Sequence, residues 1–164
     1  MATHTSRRTS ISHYLTMFVN NDVHIEQAYQ LFSQFRSKPW SLELFQQALQ
    51  QPFSMLQVSE GEVSAVLLVS NVLDEAEIED ICVNPKHQRQ GLARYLLSEC
   101  LTILRTKGYK KIHLEVRQSN VAAIRLYESM GFALQGTRKH YYDTDDGQKE
   151  SALLYRLDIR MAHT

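Results

Sequence analysis

The stretch from about Gly91 to Lys107 constrains the fold more than any other part of the chain. Leu92, Leu96, Cys100, Ile103 and Leu104 recur at helical spacing and form one apolar stripe. Gly108 follows as a C′ residue, where a left-handed backbone ends a helix. A stripe of this kind needs an apolar surface to cover it. Strand-like runs lie on both sides: Glu62 to Leu73 and Ala76 to Val83 before it, Lys111 to Arg117 after it. A further helix, with Ser119 as its expected cap and Gly131 just past its end near Met130, follows the last of these. Lys111 to Arg117 therefore lies between two helices and belongs inside a sheet covered on both faces.

The remaining elements fall around this unit. Tyr14 to Val19 reads as a short strand, and Asp22 as the N-cap of a helix to about Arg36. Pro39 and Trp40 break the chain before Ser41 caps a second helix through about Gln50. Met55 to Ser59 joins Glu62 to Leu73 across the turn signal Glu60-Gly61, and Asp74-Glu75 turns into Ala76 to Val83. Phe132 to Lys139 and Ser151 to Ile159 close the chain as two strands around a polar loop. The order is β-α-α-β-β-β-α-β-α-β-β, a mixed α/β domain with one central sheet.

A length of 164 residues suits one such domain, assigned here to residues 13–164, with residues 1–12 as a flexible tail. Lys and Arg number 18 and Asp and Glu number 18, so no global field draws the chain to nucleic acid or membrane, and charge-based recognition must be local. Arg7 and Arg8 have no apolar run behind them long enough for a signal peptide, and no segment has the length of a membrane helix. Two cysteines, Cys82 and Cys100, lie in apolar runs and read as reduced, buried thiols. Together these features point to the cytoplasm.

Asn84 to Arg94 (NPKHQRQGLAR) is the local basic site. It leads from a strand end into a helix, where unpaired N–H groups and the helix dipole favour an anion. Gly91 admits a close ligand and Ala93 keeps the next turn small, while Lys86, Arg89 and Arg94 add charge with no acid between them. Neither the phosphate-loop nor the dinucleotide glycine pattern occurs. The alternative is an ordinary strand-to-helix loop with solvated charges. On Lys111 to Arg117, His113, Glu115 and Arg117 share one face, which marks either a cleft or a structural ion pair. On the next helix Asn120, Ala123, Tyr127 and Met130 share a face, and Tyr127 alone would read as a core phenol. The seven histidines and two cysteines show no metal spacing. Trp40 reads as core, and the acidic loop from His140 to Glu150 as a hairpin tip that could meet a basic peptide.

Gln88-Arg89-Gln90-Gly91-Leu92-Ala93 resembles the acyl-CoA signature Arg/Gln-x-x-Gly-x-Gly/Ala of the GNAT superfamily, and the element order fits it. Within it the chain is similar to the RimI-type family of ribosomal-protein-alanine N-acetyltransferases. The similarity runs through Lys38-Pro39-Trp40-Ser41, Val72 to Ala76, Asp80 to Val83, Leu114 to Arg117, Leu126 to Phe132 and Tyr141-Tyr142. It extends from about Val23 to about Leu157. Cys82 and Ala93 differ from the commoner Ala and Gly, and Asp143 and Ser151 differ in the loop expected to touch the acceptor.

The resemblance implies a twisted, mostly antiparallel mixed sheet of about seven strands flanked by helices. It implies acetyl-CoA as co-substrate, with no metal, and the N-terminal segment of a ribosomal protein as partner, acetylated on its first alanine. The protein in question is the small-subunit ribosomal protein numbered eighteen. Ile81, Cys82 and Val83 would hold the pantetheine arm and acetyl group. Arg89, Gln90, Gly91, Leu92, Ala93 and Arg94 would hold the pyrophosphate, and Asn120 would also contact the cofactor. Glu115 would be the general base, with His113 its rival, and Tyr127 the general acid. A lysine or small-amine acetyltransferase, or a non-catalytic acetyl-CoA-binding module, is the alternative. A monomer is expected, with neither nucleic acid nor membrane as partner.

Overall fold

The computed structural model of the chain describes residues 22–159. Helices α1 (Asp22–Ser33) and α2 (Leu42–Leu49) lead into strands β1 (Met55–Ser59), β2 (Glu62–Val72) and β3 (Glu75–Val83). A short 3-10 turn at Pro85–His87 precedes α3 (Leu92–Thr106). Then come β4 (Lys111–Arg117), α4 (Val121–Ser129), β5 (Ala133–Asp143) and β6 (Lys149–Asp158). The expected tail and the expected strand at Tyr14 to Val19 lie outside the described residues. The sheet thus has six strands among the described residues against about seven expected, in the order β1-β2-β3-β4-β6-β5.

Only β3 and β4 run parallel, because α3 carries the chain back across the sheet between them; the other neighbours are antiparallel. One face of the sheet is covered by α3 and α4. There Leu67, Val69, Ile78, Ile112, Leu114, Val116 and Tyr155 meet Leu92, Leu96, Leu97, Cys100, Leu101, Leu104 and Tyr127. The stripe of α3 is thus wider than its spacing suggested: Leu97 and Leu101 join it, and Ile103 is only partly buried. On the other face α1 and α2 bring Ala28, Leu31, Phe32 and Phe45 onto Leu56, Val66, Leu68 and Cys82. Trp40 packs its ring 5.2 Å from Phe32, the core role expected of it.

Ser41 Oγ accepts from the Leu44 N–H at 3.3 Å, as a cap should, and Gly108 takes φ 81° past the end of α3. Two ends differ from expectation. α1 stops at Ser33 rather than near Arg36, because Arg36 turns back to donate to the Phe32 carbonyl and to pair with Asp80 of β3. Asn120, not Ser119, caps α4, its Oδ1 accepting from the Ala123 N–H at 3.2 Å; the Ser119 N–H goes to Glu150 at 3.2 Å.

Two of the sheet's four register breaks bear on the site. The β3–β4 ladder runs from Glu75–Lys111 to Ile78–Leu114 and stops. At that point the β2–β3 register shifts, Val69 facing Ile78 and Leu68 facing Asp80, so Glu79 is an extra residue. A bulge bends its strand, and the second half of β3 leaves β4. The hairpin β5–β6 is also longer than its polar composition suggested. The expected loop from His140 to Glu150 shortens to residues 144–148, held by the Asp143–Lys149 ion pair at 3.0 Å. A second register break falls between Arg138 and Tyr142, with His140 at φ 55°.

Candidate active site

A cleft of about 1290 Å³ opens where β3 and β4 part. Its walls are Ile78 to Val83, Glu115 to Arg117, Asn120, Ala123 and Tyr127, residues 34–38 after α1, and the hairpin residues Tyr141 to Asp145 with Glu150. The backbone at the bottom follows from ladder alternation. The Asn84 N–H bonds the Ser64 carbonyl at 2.8 Å, so along β3 the backbone groups of Cys82 also face β2, while those of Ile81 and Val83 turn toward the opening. The Ile81 N–H is met by Asp80 Oδ1 at 2.8 Å, and the Val83 carbonyl by Gln88 Nε2 at 3.3 Å. Of the three residues expected to hold an acyl arm, Ile81 and Val83 thus present backbone. Cys82 turns its side chain into the α1–α2 core, its thiol donating to Asp80 at 3.3 Å.

The basic loop lies beside this opening. Arg89 at φ 60° and Gly91 at φ 79° turn the chain into α3, and Gly91 provides no side-chain cap. The first N–H groups of α3, from Leu92, Ala93 and Arg94, therefore have no intrahelical acceptor and sit at the positive end of the dipole. A Cβ added at Gly91 would meet nothing within 4 Å, so there is open space at this end. These features suit a phosphate group. The charges are less uniform than the sequence suggested: Glu62 of β2 pairs with Lys86 at 3.4 Å and His87 at 3.1 Å. Arg94 donates to Ser129 Oγ at 2.6 Å and so ties α3 to α4. Arg89 and Gln90 are exposed, and among the described residues Arg89 has no acidic partner. The Leu92 side chain is buried, so only its N–H can meet a ligand.

The three ionisable groups of β4 divide. His113 pairs with Glu75 at 2.9 Å, away from the cleft. Glu115 lines the cleft with Arg138 at 3.0 Å, and Arg117 lines it with Glu150 at 2.7 Å. The cleft and the ion pair, alternatives in the sequence, are both present. Tyr127 is 5% exposed, its ring 5.8 Å from Phe132, and it lines the cleft. Burial, and then the charge of Asp80, push its phenol well above the ordinary tyrosine value, so it stays protonated. Burial likewise pushes the Cys82 thiol up, with Asp80 adding to it, and raises Cys100 to about 12; neither is a ready nucleophile. Among the described residues no group of three His, Cys, Asp or Glu side chains could hold a metal.

Sequence reasoning missed the wall at residues 34–38, the Arg36–Asp80 pair and Arg138. Nothing local marks them. The Tyr141-Tyr142 doublet and the acids of the hairpin were the visible signs that the tip does more than turn the chain.

A carboxylate, a protonated phenol and strand backbone that has no partner strand thus face one opening, next to a helix end suited to an anion. This arrangement can deprotonate an amine, hold a carbonyl and donate to a leaving group. The model of the acetyltransferase (GNAT) family matches residues 25–132. The chain is 40% identical over 139 residues to the ribosomal protein bS18-alanine N-acetyltransferase of Escherichia coli K12, covering 84% of this chain and 89% of that one. It is 35% identical over 147 residues to the enzyme of the same name from Salmonella typhimurium, at 89% and 99% coverage. The crystal structure of the E. coli ribosomal-protein-S18-alanine N-acetyltransferase superposes with a TM-score of 0.78 at 36% identity, over 92% of this chain and 94% of that one.

Proposed function

The chain belongs to the GNAT acetyltransferase family and is an acetyl-CoA-dependent N-acetyltransferase, and from that premise we propose that its acceptor is the α-amine of an N-terminal alanine. The protein acetylated is the small-subunit ribosomal protein numbered eighteen, the substrate in the names of the relatives at 40% and 35% identity. The observation that carries the reading is that Glu115 and Tyr127 face the same opening as the backbone of Ile81 and Val83.

The residues that fit acetyl-CoA are the backbone of Ile81 and Val83 for the acyl arm and the α3 N-terminus from Gln90 to Arg94, with Arg89, for the pyrophosphate. Asn120, whose Oδ1 caps α4, keeps its amide N–H groups for the same ligand. Bound there, acetyl-CoA supplies the thioester carbon that the amine attacks. Glu115 takes a proton from the α-ammonium, directly or through a water. Lysine, near 10.4, holds that proton about 2.6 units more tightly than an α-amine near 7.8, roughly 3.5 kcal/mol. The same site therefore favours α-amines whatever the strength of its base. As the C–S bond breaks, Tyr127 donates its hydrogen bond to the sulfur. Its raised phenol makes complete proton transfer costlier than the roughly 2 kcal/mol of an unperturbed tyrosine–thiol pair. In balance the ammonium loses two protons: one ends on the released thiol and one reaches solvent through Glu115. His113, paired with Glu75, is poorly placed to act as base. A ribosomal acceptor places the reaction in the cytoplasm. No helix among the described residues is long and apolar enough to cross a membrane.

Mass spectrometry of acetyl transfer to a peptide panel tests the reading. The panel holds the ribosomal N-terminus, a version with its α-amine blocked, and one whose only amine is an internal lysine. Acetyl on the α-amine alone, lost in Glu115→Gln and Tyr127→Phe, is expected. Preferred transfer to the lysine peptide, or none to any peptide while acetyl-CoA still binds, refutes it.

A further inference from the structure

Arg138 and Arg117 form two similar units on the open face of the sheet. Each guanidinium lies between a glutamate and a tyrosine: Arg138 between Glu115 at 3.0 Å and the Tyr141 ring at 5.2 Å, Arg117 between Glu150 at 2.7 Å and the Tyr142 ring at 4.3 Å. The register break after Arg138 sets both tyrosines over the arginines, since extra residues in one strand re-aim the side chains beyond them. Ala152, with no exposure, lies between Arg117 and Arg138 in the ladder and leaves room for two long side chains across β6.

The two units are not equally tied. Arg117 also donates to the Asp143 carbonyl, and its partner Glu150 accepts from the Ser119 N–H, so the unit fastens the hairpin to the start of α4. Arg138 reaches diagonally from β5 to β4, its side chain is half exposed, and Glu115 is its one ion-pair partner among the described residues. Glu115 is only 22% exposed and opens on the cleft. Its neighbourhood is otherwise acidic. Glu77 on β3 is held above the usual carboxylate range by burial and by repulsion from Glu79 and Glu115. Tyr142 on β5 is raised by burial first and by Glu115 next. The remaining basic side chains of this face are engaged elsewhere, Lys111 and His113 with Glu75, Arg117 with Glu150 and Arg156 with Asp158.

We propose that Arg138 is a positioning residue for Glu115, a stand-in cation that the acceptor's α-ammonium displaces. In the resting enzyme the guanidinium holds the carboxylate fixed at the cleft mouth. The incoming ammonium takes over the contact, and Arg138 swings out along the Tyr141 ring. The base is thereby ready before the acceptor arrives, and a substrate without a cationic terminus leaves the pair closed. This rests on Glu115 being the base.

The test uses the full chain as wild type, Arg138→Gln, Arg138→Lys, Glu115→Gln and the double variant Glu115→Gln/Arg138→Gln. It measures kcat and KM with an alanine-initiated peptide, and the Kd of that peptide for the enzyme saturated with CoA. Arg138→Gln is expected to lower kcat about tenfold for want of orientation, yet to bind the peptide roughly three- to fivefold tighter for want of a competitor. Arg138→Lys restores most of the kcat. In the Glu115→Gln background the Arg138→Gln change adds less than twofold. A loss of equal size in both backgrounds, or weaker peptide binding in Arg138→Gln, overturns the proposal and leaves Arg138 a structural residue. Full activity of Glu115→Gln would instead overturn the assignment of the base.

Discussion

Gly91 and Gly108 stand at opposite ends of α3 in nearly the same backbone conformation, φ 79° and φ 81°, and a methyl added to either meets no atom within 4 Å. Replacing each by alanine therefore imposes the same perturbation, about 1–2 kcal/mol for an L residue held left-handed, with no packing component. At about 2–4 °C per kcal/mol for a chain of this size, both variants should melt some 2–8 °C below wild type and close to one another. Only Gly91 stands at the end of α3 whose first N–H groups lack helical acceptors, the end proposed for the pyrophosphate. Calorimetric titration with acetyl-CoA should show Gly91→Ala weakened roughly 10–100-fold, about 1.4–2.8 kcal/mol, and Gly108→Ala within twofold of wild type. Equal affinities in the two variants would refute the reasoning, since the shared strain would then be the whole effect of the glycine.

Tyr127→Phe is expected to lower kcat by about 100-fold with the Kd for acetyl-CoA unchanged; a wild-type kcat would remove the phenol from the chemistry. Because its folded value is raised, Tyr127 contributes its full stability below the unfolded value near 10 and loses it as pH climbs above that. The stability difference between wild type and Tyr127→Phe in urea should accordingly fall on going from pH 9 to about pH 11. Cys82→Ala should keep turnover within about threefold and native Cys82 and Cys100 should resist thiol labelling at pH 8, since burial keeps both as thiols. An acyl-cysteine detected by intact mass would sink direct transfer. Arg36→Ala leaves the largely buried Asp80 carboxylate without its cation and is expected to cost about 1–3 kcal/mol in urea unfolding. Adding Asp80→Asn should recover part of that loss, and strictly additive losses would refute the coupling.

The elements of this protein were legible in its sequence because their signals are local. Ser41 caps α2 through an N–H three residues away, Gly108 ends α3 by its own φ, and Lys111–Arg117 alternates within seven residues. The uncapped turn proposed for the pyrophosphate was legible for the same reason: a helix start needs only its own residues to leave N–H groups free. Glu115 and Tyr127 could be singled out through the resemblance of the residues around them to a known pattern.

What the sequence did not contain is how distant strands meet. The extra residue Glu79, the parting of β3 from β4 and the consequent turn of Ile81 and Val83 toward solvent depend on which residues of β2 face β3. The reach of Arg138 to Glu115 across β6 depends on the register of three strands. The same holds for Glu62 among the loop cations and for Arg36 on Asp80, pairs separated by 24, 25 and 44 positions. A one-residue slip in a ladder turns every side chain to the other face without changing the composition of either strand. Local sequence therefore determined which residues could do chemistry, and the tertiary pairing alone decided which partner each would have.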